Sequence, residues 1–191
     1  MITMWIDARL ARATWLGLGV WVIVWTLYAS WAFGMGSAWA QSLAASGGTL
    51  PETLFGFERG QPETALSQLG PVRGDYLAWQ GLDVLFAAIN VMITSIGIAL
   101  GLHATTLART AARLLLLLPV IYFGAELLEN LQLSAFTLAL FDPASLMGPV
   151  QQLTTSLKHL AGNAALALAG LGILVAAGRG LGGLVRFGDG S

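Results

Sequence analysis

Long stretches without a charged side chain limit what this chain can fold into. No residue between Ala13 and Pro51 is charged, and the 191 residues together are 56% hydrophobic and only 10% charged. A soluble domain carries about 25% charged residues, so this chain has too few to cover a water-exposed surface of its size. The composition predicts an integral membrane protein in contact with the lipid bilayer.

Four apolar segments are long enough for spanning helices, each of which needs about 20 residues. They predict spans at about residues 14–34, 77–102, 112–140 and 153–177, with a kink at Pro119. Met1–Ala13 is predicted to form a short interfacial helix, and Gly178–Ser191 is a Gly-rich tail. The expected fold is a single all-α membrane domain over residues 1–191, arranged as a four-helix bundle.

The first segment has an alternative interpretation as a signal peptide. Arg9 and Arg12 would precede its apolar core, and Ala38–Ala40 resembles a cleavage site. Its apolar run is longer than the roughly 7–15 residues usual for such peptides, so a retained span is favoured. Within that span Trp21, Trp25 and Tyr28 fall on one stripe.

One substantial polar loop is predicted, over residues 45–76. Pro62–Leu69 has a Pro near its first position and Gly70 after its end, which predicts a short helix. Pro51–Phe57 is predicted to form a similar turn. The loop is expected to be a connector, with a lid as the alternative.

The basic residues predict the topology. Arginines flank one side of the predicted spans, and most acidic loop residues flank the other; the arginines are Arg9, Arg12, Arg109, Arg113, Arg179 and Arg186. By the positive-inside rule both termini are expected in the cytoplasm. An even number of spans also places both termini on the same side of the membrane, which agrees with this expectation.

Two spans carry stripes of small and polar residues in alternating steps of four and three. The stripe of span two is Asp83, Ala87, Asn90, Thr94, Gly97 and Gly101, and that of span four is Thr155, Lys158, Gly162, Ala165, Ala169, Gly172 and Ala176. Small residues let helices approach closely in a bilayer. Both stripes are therefore expected to face the bundle interior.

Span three carries several polar and ionisable side chains within its hydrophobic sequence. Tyr122, Glu126, Glu129 and Asn130 are spaced i, i+4, i+7 and i+8, so they share one helical face. Ionisable groups at membrane depth usually face a protein interior or a wet cavity. Spans two and four add four more polar side chains at a similar depth: Asp83, Asn90, Lys158 and His159. Together these residues predict one polar cluster in the outer half of the bilayer.

The cluster has a structural and a functional interpretation. Structurally, Lys158 would pair with Asp83 or Glu129 and fix how the helices pack. Functionally, three carboxylates face one Lys and one His, and adjacent carboxylates in a low dielectric cannot both stay ionised cheaply. At least one is expected to be protonated, which suits a proton carrier, a general acid or a cation site.

Several function classes lack support in the sequence. There is no Cys, and a net charge of −1 gives no case for nucleic acid binding. Di-iron bundles use two Glu-x-x-His pairs, whereas here Glu126 is followed by Glu129. His103 and His159 are expected at opposite edges of the bilayer, which argues against a haem between them. We therefore expect no metal, no cofactor and no catalytic residue that a motif identifies.

Some of these residues carry a resemblance to a known group. Asp83, the Pro119…Glu126-Leu-Leu-Glu129-Asn130 segment and Leu153–Lys158 resemble a group of uncharacterised bacterial four-span proteins, over roughly Pro51–Ala177. Glu126 stands where that group has Asp. The resemblance implies that Asp83, Glu129 and Lys158 belong to one constellation and that the chain resides in a bacterial inner membrane. It implies no activity.

Two functions remain in competition at this point. The first is a non-enzymatic accessory, assembly or scaffold subunit that packs against other membrane protein subunits. The alternative is a lipid-binding or small-molecule-binding protein, or an enzyme, that uses the carboxylate, Lys and His cluster; it requires a cavity of a few hundred Å³ at the carboxylates. Ion or proton transfer ranks last, because the inner half of the spans is mostly Gly, Ala and Leu.

Overall fold

A computed structural model describes residues 2–48, 50–53, 61–105, 107, 109–142 and 147–188 of the chain. These residues form helices and no strand. Four helices among them are long and apolar enough to cross a membrane: Trp15–Ala32, Gly70–His103, Thr110–Thr137 and Gly148–Arg179. The all-helical class and the four span candidates are thus confirmed.

The described part of the chain contains eight α-helices. They are α1 (Ile2–Arg12), α2 (Trp15–Ala32), α3 (Ala38–Ala45), α4 (Gln61–Gln68), α5 (Arg73–His103), α6 (Arg109–Leu115), α7 (Leu117–Thr137) and α8 (Met147–Gly188). Short 3-10 turns lie at Pro51–Thr53 and Gly70–Val72. Residues 54–57 of the predicted turn at Pro51–Phe57 lie outside the described residues. The same holds for residues 143–146 of the predicted loop before span four.

Several helix ends differ from the sequence prediction. Helix α3 forms where no helix was expected, and the Ser37 hydroxyl caps it by accepting from the Ala40 N–H at 3.1 Å. Helix α8 begins at Met147 rather than 153, because Pro149 falls in the first turn, where its missing N–H is not needed. It also continues through the Gly-rich tail to Gly188.

The predicted kink near Pro119 is a break between α6 and α7. The two helices are separated by a turn at Leu116. Pro119 has no N–H to donate to the carbonyl four residues earlier, that of Leu115, and its ring would clash with that carbonyl. Helix α6 accordingly ends at Leu115, and a new helix begins at Leu117.

Helix α5 lies at the centre of the bundle and packs against α2, α7 and α8. Helices α7 and α8 also pack on each other, whereas α2 packs mainly on α5. The aromatic stripe of α2 makes that contact: the Trp25 Nε1–H donates to the Asn90 Oδ1 at 2.9 Å, and the Tyr28 hydroxyl donates to the Leu82 carbonyl at 2.6 Å.

Glycines bring α5 and α8 together at the His103 end of α5. A Cβ added to Gly97 would lie 2.9 Å from the Ala169 Cβ, and a Cβ on Gly101 would overlap the Gly172 backbone. Toward its Arg73 end, the same face of α5 carries Asn90 and Thr94 instead. The two helices therefore touch closely at one end, and larger polar side chains stand between them nearer the other.

Helix α1 is fastened to the His103 end of the bundle. The Arg113 guanidinium donates to both Asp7 carboxylate oxygens, at 3.0 and 2.6 Å. A ring nitrogen of His103 contacts the Leu10 carbonyl. The sequence gives His103 no special role, and the structure shows it joining the end of α5 to α1.

Candidate functional site

The side chains that the sequence singles out lie in one region between α5, α7 and α8. Six of them line one cavity: Asp83, Asn90, Tyr122, Glu126, Lys158 and His159. The other two, Glu129 and Asn130, contact Lys158 and Glu126 from behind the cavity wall. The structure thus brings together residues from three separate spans.

Lys158 makes the central contact of the cluster. Its ammonium forms an ion pair with the Glu129 carboxylate, and it lies 3.5 Å from the Glu126 Oε1. Glu129 is fully buried and Lys158 is 7% exposed. Buried charges need both a counter-charge and hydrogen bonds, and this pair supplies the first requirement.

Donors from α8 complete the surroundings of Glu129. The Thr155 hydroxyl donates to the Glu129 Oε1, and the Gln151 Nε2 donates to the Thr155 hydroxyl oxygen at 2.7 Å. Gln151, Thr155 and Lys158 recur at steps of four and three, so they share one face of α8. Glu129 is therefore held by one cation and one hydroxyl from a single helix.

The structure shows one of the two predicted partners of Lys158. Lys158 pairs with Glu129, which was one alternative, and also with Glu126. Asp83, the other alternative, lies within hydrogen-bonding range of Glu126 instead. Glu126 and Glu129 lie about one turn apart on α7 and both reach the ammonium. Asp83 comes from α5 and meets the opposite side of Glu126.

An amide from the same helix hydrogen-bonds to Glu126. The Asn130 Nδ2 donates to the Glu126 Oε1 at 3.3 Å. Tyr122 lines the cavity together with Asn90 and Glu126. Asn90 accepts from Trp25 of α2. Polar contacts therefore join α2 to α5 and α7 to α8 around the cavity.

A fourth carboxylate, Glu52, enters the site from the loop, and the sequence does not indicate it. The Tyr76 hydroxyl donates to its Oε2 at 2.8 Å, and the Trp79 Nε1–H donates to its Oε1 at 2.9 Å. His159 hydrogen-bonds to the Glu52 backbone. Burial raises the pKa of the Glu52 carboxyl, and the hydrogen bonds and the Lys158 charge offset only part of that effect.

Glu52 makes stability depend on pH in a defined direction. Because its pKa is raised in the folded protein, its stabilisation is fully present below its ordinary pKa of 4.5 and is lost as the pH rises through the folded value. We expect the melting temperature of the wild type in detergent to fall relative to that of Glu52→Gln as the pH rises above 4.5. Melting curves of both proteins across that range test this, and a constant difference would contradict it.

The cavity itself has a volume of about 360 Å³. Its polar side chains are interleaved with an aromatic wall of four rings: Phe33, Trp39, Trp79 and Phe86. Phe33 lies at the centre of this aromatic wall, with ring centroids 5.1 to 5.2 Å from the other three. Asn163 and Leu166 of α8 also line the cavity and are exposed, so the cavity opens on the side of the bundle.

Comparisons with protein-family models, curated proteins and solved structures find no match to this chain. Within the described residues, no group of three or more His, Asp or Glu side chains is arranged to hold a metal ion. A function for this site therefore has to be argued from its own geometry.

The sequence indicates the other side chains of the site to different degrees. Thr155 stands on the stripe of span four that is predicted to face the bundle interior, three residues before Lys158, but the stripe does not mark it as a member of the polar cluster. Glu52 has no such signal, because its burial depends on where the loop folds. Tyr76 and Trp79 lie at the start of α5, near a boundary that the hydropathy places only roughly.

Proposed function

We propose that this chain is a multi-pass membrane protein that binds a small molecule or lipid in the cavity between α5, α7 and α8. The observation that carries this proposal is the cavity of about 360 Å³, which is lined by both carboxyl groups and aromatic rings. Ligand pockets typically measure about 300–1,000 Å³ and combine apolar walls with a few polar groups. The volume falls within this range.

Binding is favoured over catalysis by the way the charges are already satisfied. Lys158, Glu129 and Thr155 hold one another, so their role in the proposal is to shape the cavity. Asp83 and Glu126 line the cavity and are the groups that a ligand would meet. Any proton transfer would fall to these two carboxyls.

The exposed residues of α8 support a lateral entrance. Asn163 and Leu166 line the cavity and face outward, so an amphiphile could place its polar end inside and leave a chain outside. We propose that the helices cross a bacterial inner membrane with both termini in the cytoplasm. The distribution of the arginines supports that orientation, and the resemblance to the bacterial four-span group supports the location.

Closing the entrance tests the proposal. We expect Asn163→Trp to block the cavity from an exposed position, where the larger side chain causes little strain. The probes are three photoreactive alkyl compounds with the same chain and a trimethylammonium, hydroxyl or sulfonate head. In the wild type at least one probe should label peptides from the cavity wall, and Asn163→Trp should reduce that labelling several-fold.

Ala167→Trp is the matched control, because Ala167 is also exposed on α8 and does not line the cavity. Labelling of the cavity peptides should be unchanged in this variant. Equal labelling in the wild type and Asn163→Trp, measured by mass spectrometry of the cross-linked peptides, would contradict a ligand site.

A role as an accessory subunit of a larger membrane complex is the second candidate. It is favoured by an apolar groove of about 710 Å³ on the other side of α5, between α2 and α7. The groove is lined by residues such as Trp21, Met92 and Phe123. Since α2 packs mainly on α5, a partner helix has room beside it. A particle mass equal to one chain in mild detergent would count against this candidate.

A further inference from the structure

Acidic groups outnumber basic groups around the cavity, and this excess indicates which charge a ligand should carry. Four carboxyl groups, those of Glu52, Asp83, Glu126 and Glu129, lie in or directly behind the wall around one ammonium. Lys158 pairs with Glu129, which is buried behind the wall. That pair is neutral as a unit.

The remaining carboxyl groups of the cavity wall outnumber the cations beside them. Asp83 and Glu126 both line the cavity, and among the described residues no ion pair includes Asp83. Asp83 is therefore a carboxyl group of the wall beside which a bound cation would supply the missing counter-charge. Lys158 also lies 3.5 Å from Glu126, but its shared contact with Glu129 divides its effect between two carboxylates.

The aromatic rings of the cavity suit the same kind of ligand. Aromatic faces attract cations through the negative face of the ring, most strongly for Trp, and cages of such rings recognise quaternary ammonium groups. Trp39, Trp79, Phe33 and Phe86 line the cavity together. A cationic head in the cavity would be stabilised by both the aromatic rings and the carboxyl groups of Asp83 and Glu126.

We propose that the ligand of this cavity is an organic cation of the alkylammonium class, with its head between the aromatic wall and the Asp83–Glu126 pair. Its hydrocarbon chain leaves through the opening at Asn163 and Leu166. This inference rests on the proposed function, because it names the chemistry of a ligand for the same cavity.

The three photoreactive probes also test the inference, since they share one chain and differ only in the head. At equal mole fractions in dodecyl maltoside micelles, we expect the trimethylammonium probe to label the cavity peptides about tenfold more than the hydroxyl probe, a difference of about 1.4 kcal/mol. The sulfonate probe should label least. This comparison uses the wild-type chain and needs no variant to fold.

Asp83→Asn should lower the preference for the trimethylammonium probe toward one. The substitution keeps the size of the side chain and removes the carboxyl group that no ion pair includes. A reduced ratio between the trimethylammonium and hydroxyl probes would support the inference, because the ratio compares two probes on the same folded protein.

The outcomes separate the two proposals. If all three probes label the cavity equally, or the sulfonate probe labels it most, and Asn163→Trp still blocks labelling, the cation preference is wrong and the ligand site stands. If no probe labels the cavity peptides of the wild type, both proposals are wrong. If the ratio is tenfold but persists in Asp83→Asn, the Asp83–Glu126 pair is not its source and the proposed placement of the head is overturned.

Discussion

Replacing Lys158 with Met is expected to destabilise the folded chain by about 3–5 kcal/mol, the usual cost of removing one partner from a buried ion pair. Met keeps much of the length and apolar volume of the Lys side chain, so the change mainly removes charge. Glu129 would then be fully buried with the Thr155 hydroxyl but no cation. Glu126 would also lose its nearest positive charge.

A second substitution should recover much of that loss. In Lys158→Met combined with Glu129→Gln, the buried carboxylate becomes a neutral amide that still accepts from Thr155. Replacing both partners of a buried pair with neutral groups is often close to neutral in stability. The free energies of unfolding of the wild type, both single variants and the double variant in detergent form a cycle that measures the coupling.

Arg113→Met is the matched control for this experiment. It also replaces a paired cation with Met, but the Arg113 and Asp7 side chains are 40% and 29% exposed. Exposed ion pairs contribute little, because water screens the charges. A Lys158→Met protein as stable as Arg113→Met, or a double variant no better than Lys158→Met, would contradict a structural role for the Lys158–Glu129 pair.

This pair and the Asp83–Glu126 pair are expected to behave differently. The first is satisfied within the protein and should govern stability. The second lines the cavity and should govern ligand choice, so Asp83→Asn is expected to fold and to change the probe ratio. The two interpretations of the polar cluster, as a structural network and as a site, thus apply to different carboxylates.

Periodicity explains why so much of the cluster could be predicted from the sequence. The four-and-three steps of α5 and α8 placed Asp83, Asn90 and Lys158 toward the bundle, and the spacing of Tyr122 and Glu126 put both on one face of α7. Period alone fixes which face of a helix a residue occupies. It does not fix the rotation of that helix against its neighbours, which decides whether Lys158 meets Asp83 or Glu129.

Glu52 illustrates the other limit. The three-residue turn at Pro51–Thr53 has no periodicity that could assign it a face, and its contacts with Tyr76 and Trp79 join residues more than twenty positions apart. Helix α3 was missed for a related reason. Its eight residues are too few for a span, so hydropathy averaged over the length of a span does not detect it.

Gly101→Ala is also expected to destabilise the folded chain, because it disrupts the close packing of α5 on α8. A Cβ at Gly101 would overlap backbone atoms of Gly172, which cannot move aside as a flexible side chain can. The helices would have to separate, and overpacking of this kind typically costs about 1–3 kcal/mol. In a bilayer the loss matters more, because close packing drives helix association there.

Gly124→Ala is the matched control, since Gly124 lies within α7 and a Cβ there would meet nothing within 4 Å. Ala is a better helix former than Gly by up to about 1 kcal/mol, so this variant should be as stable as the wild type or more stable. Free energies of unfolding of Gly101→Ala and Gly124→Ala, measured side by side, test the contrast.

The cavity lies next to the contact between α5 and α8, where Thr94 and Ala165 line its wall. Separation of the helices at Gly101 should therefore also change the probe labelling of Gly101→Ala. Equal stability of the two variants would mean that the packing of α5 on α8 does not depend on the contact between Gly101 and Gly172. That contact could then not be what sets the shape of the cavity.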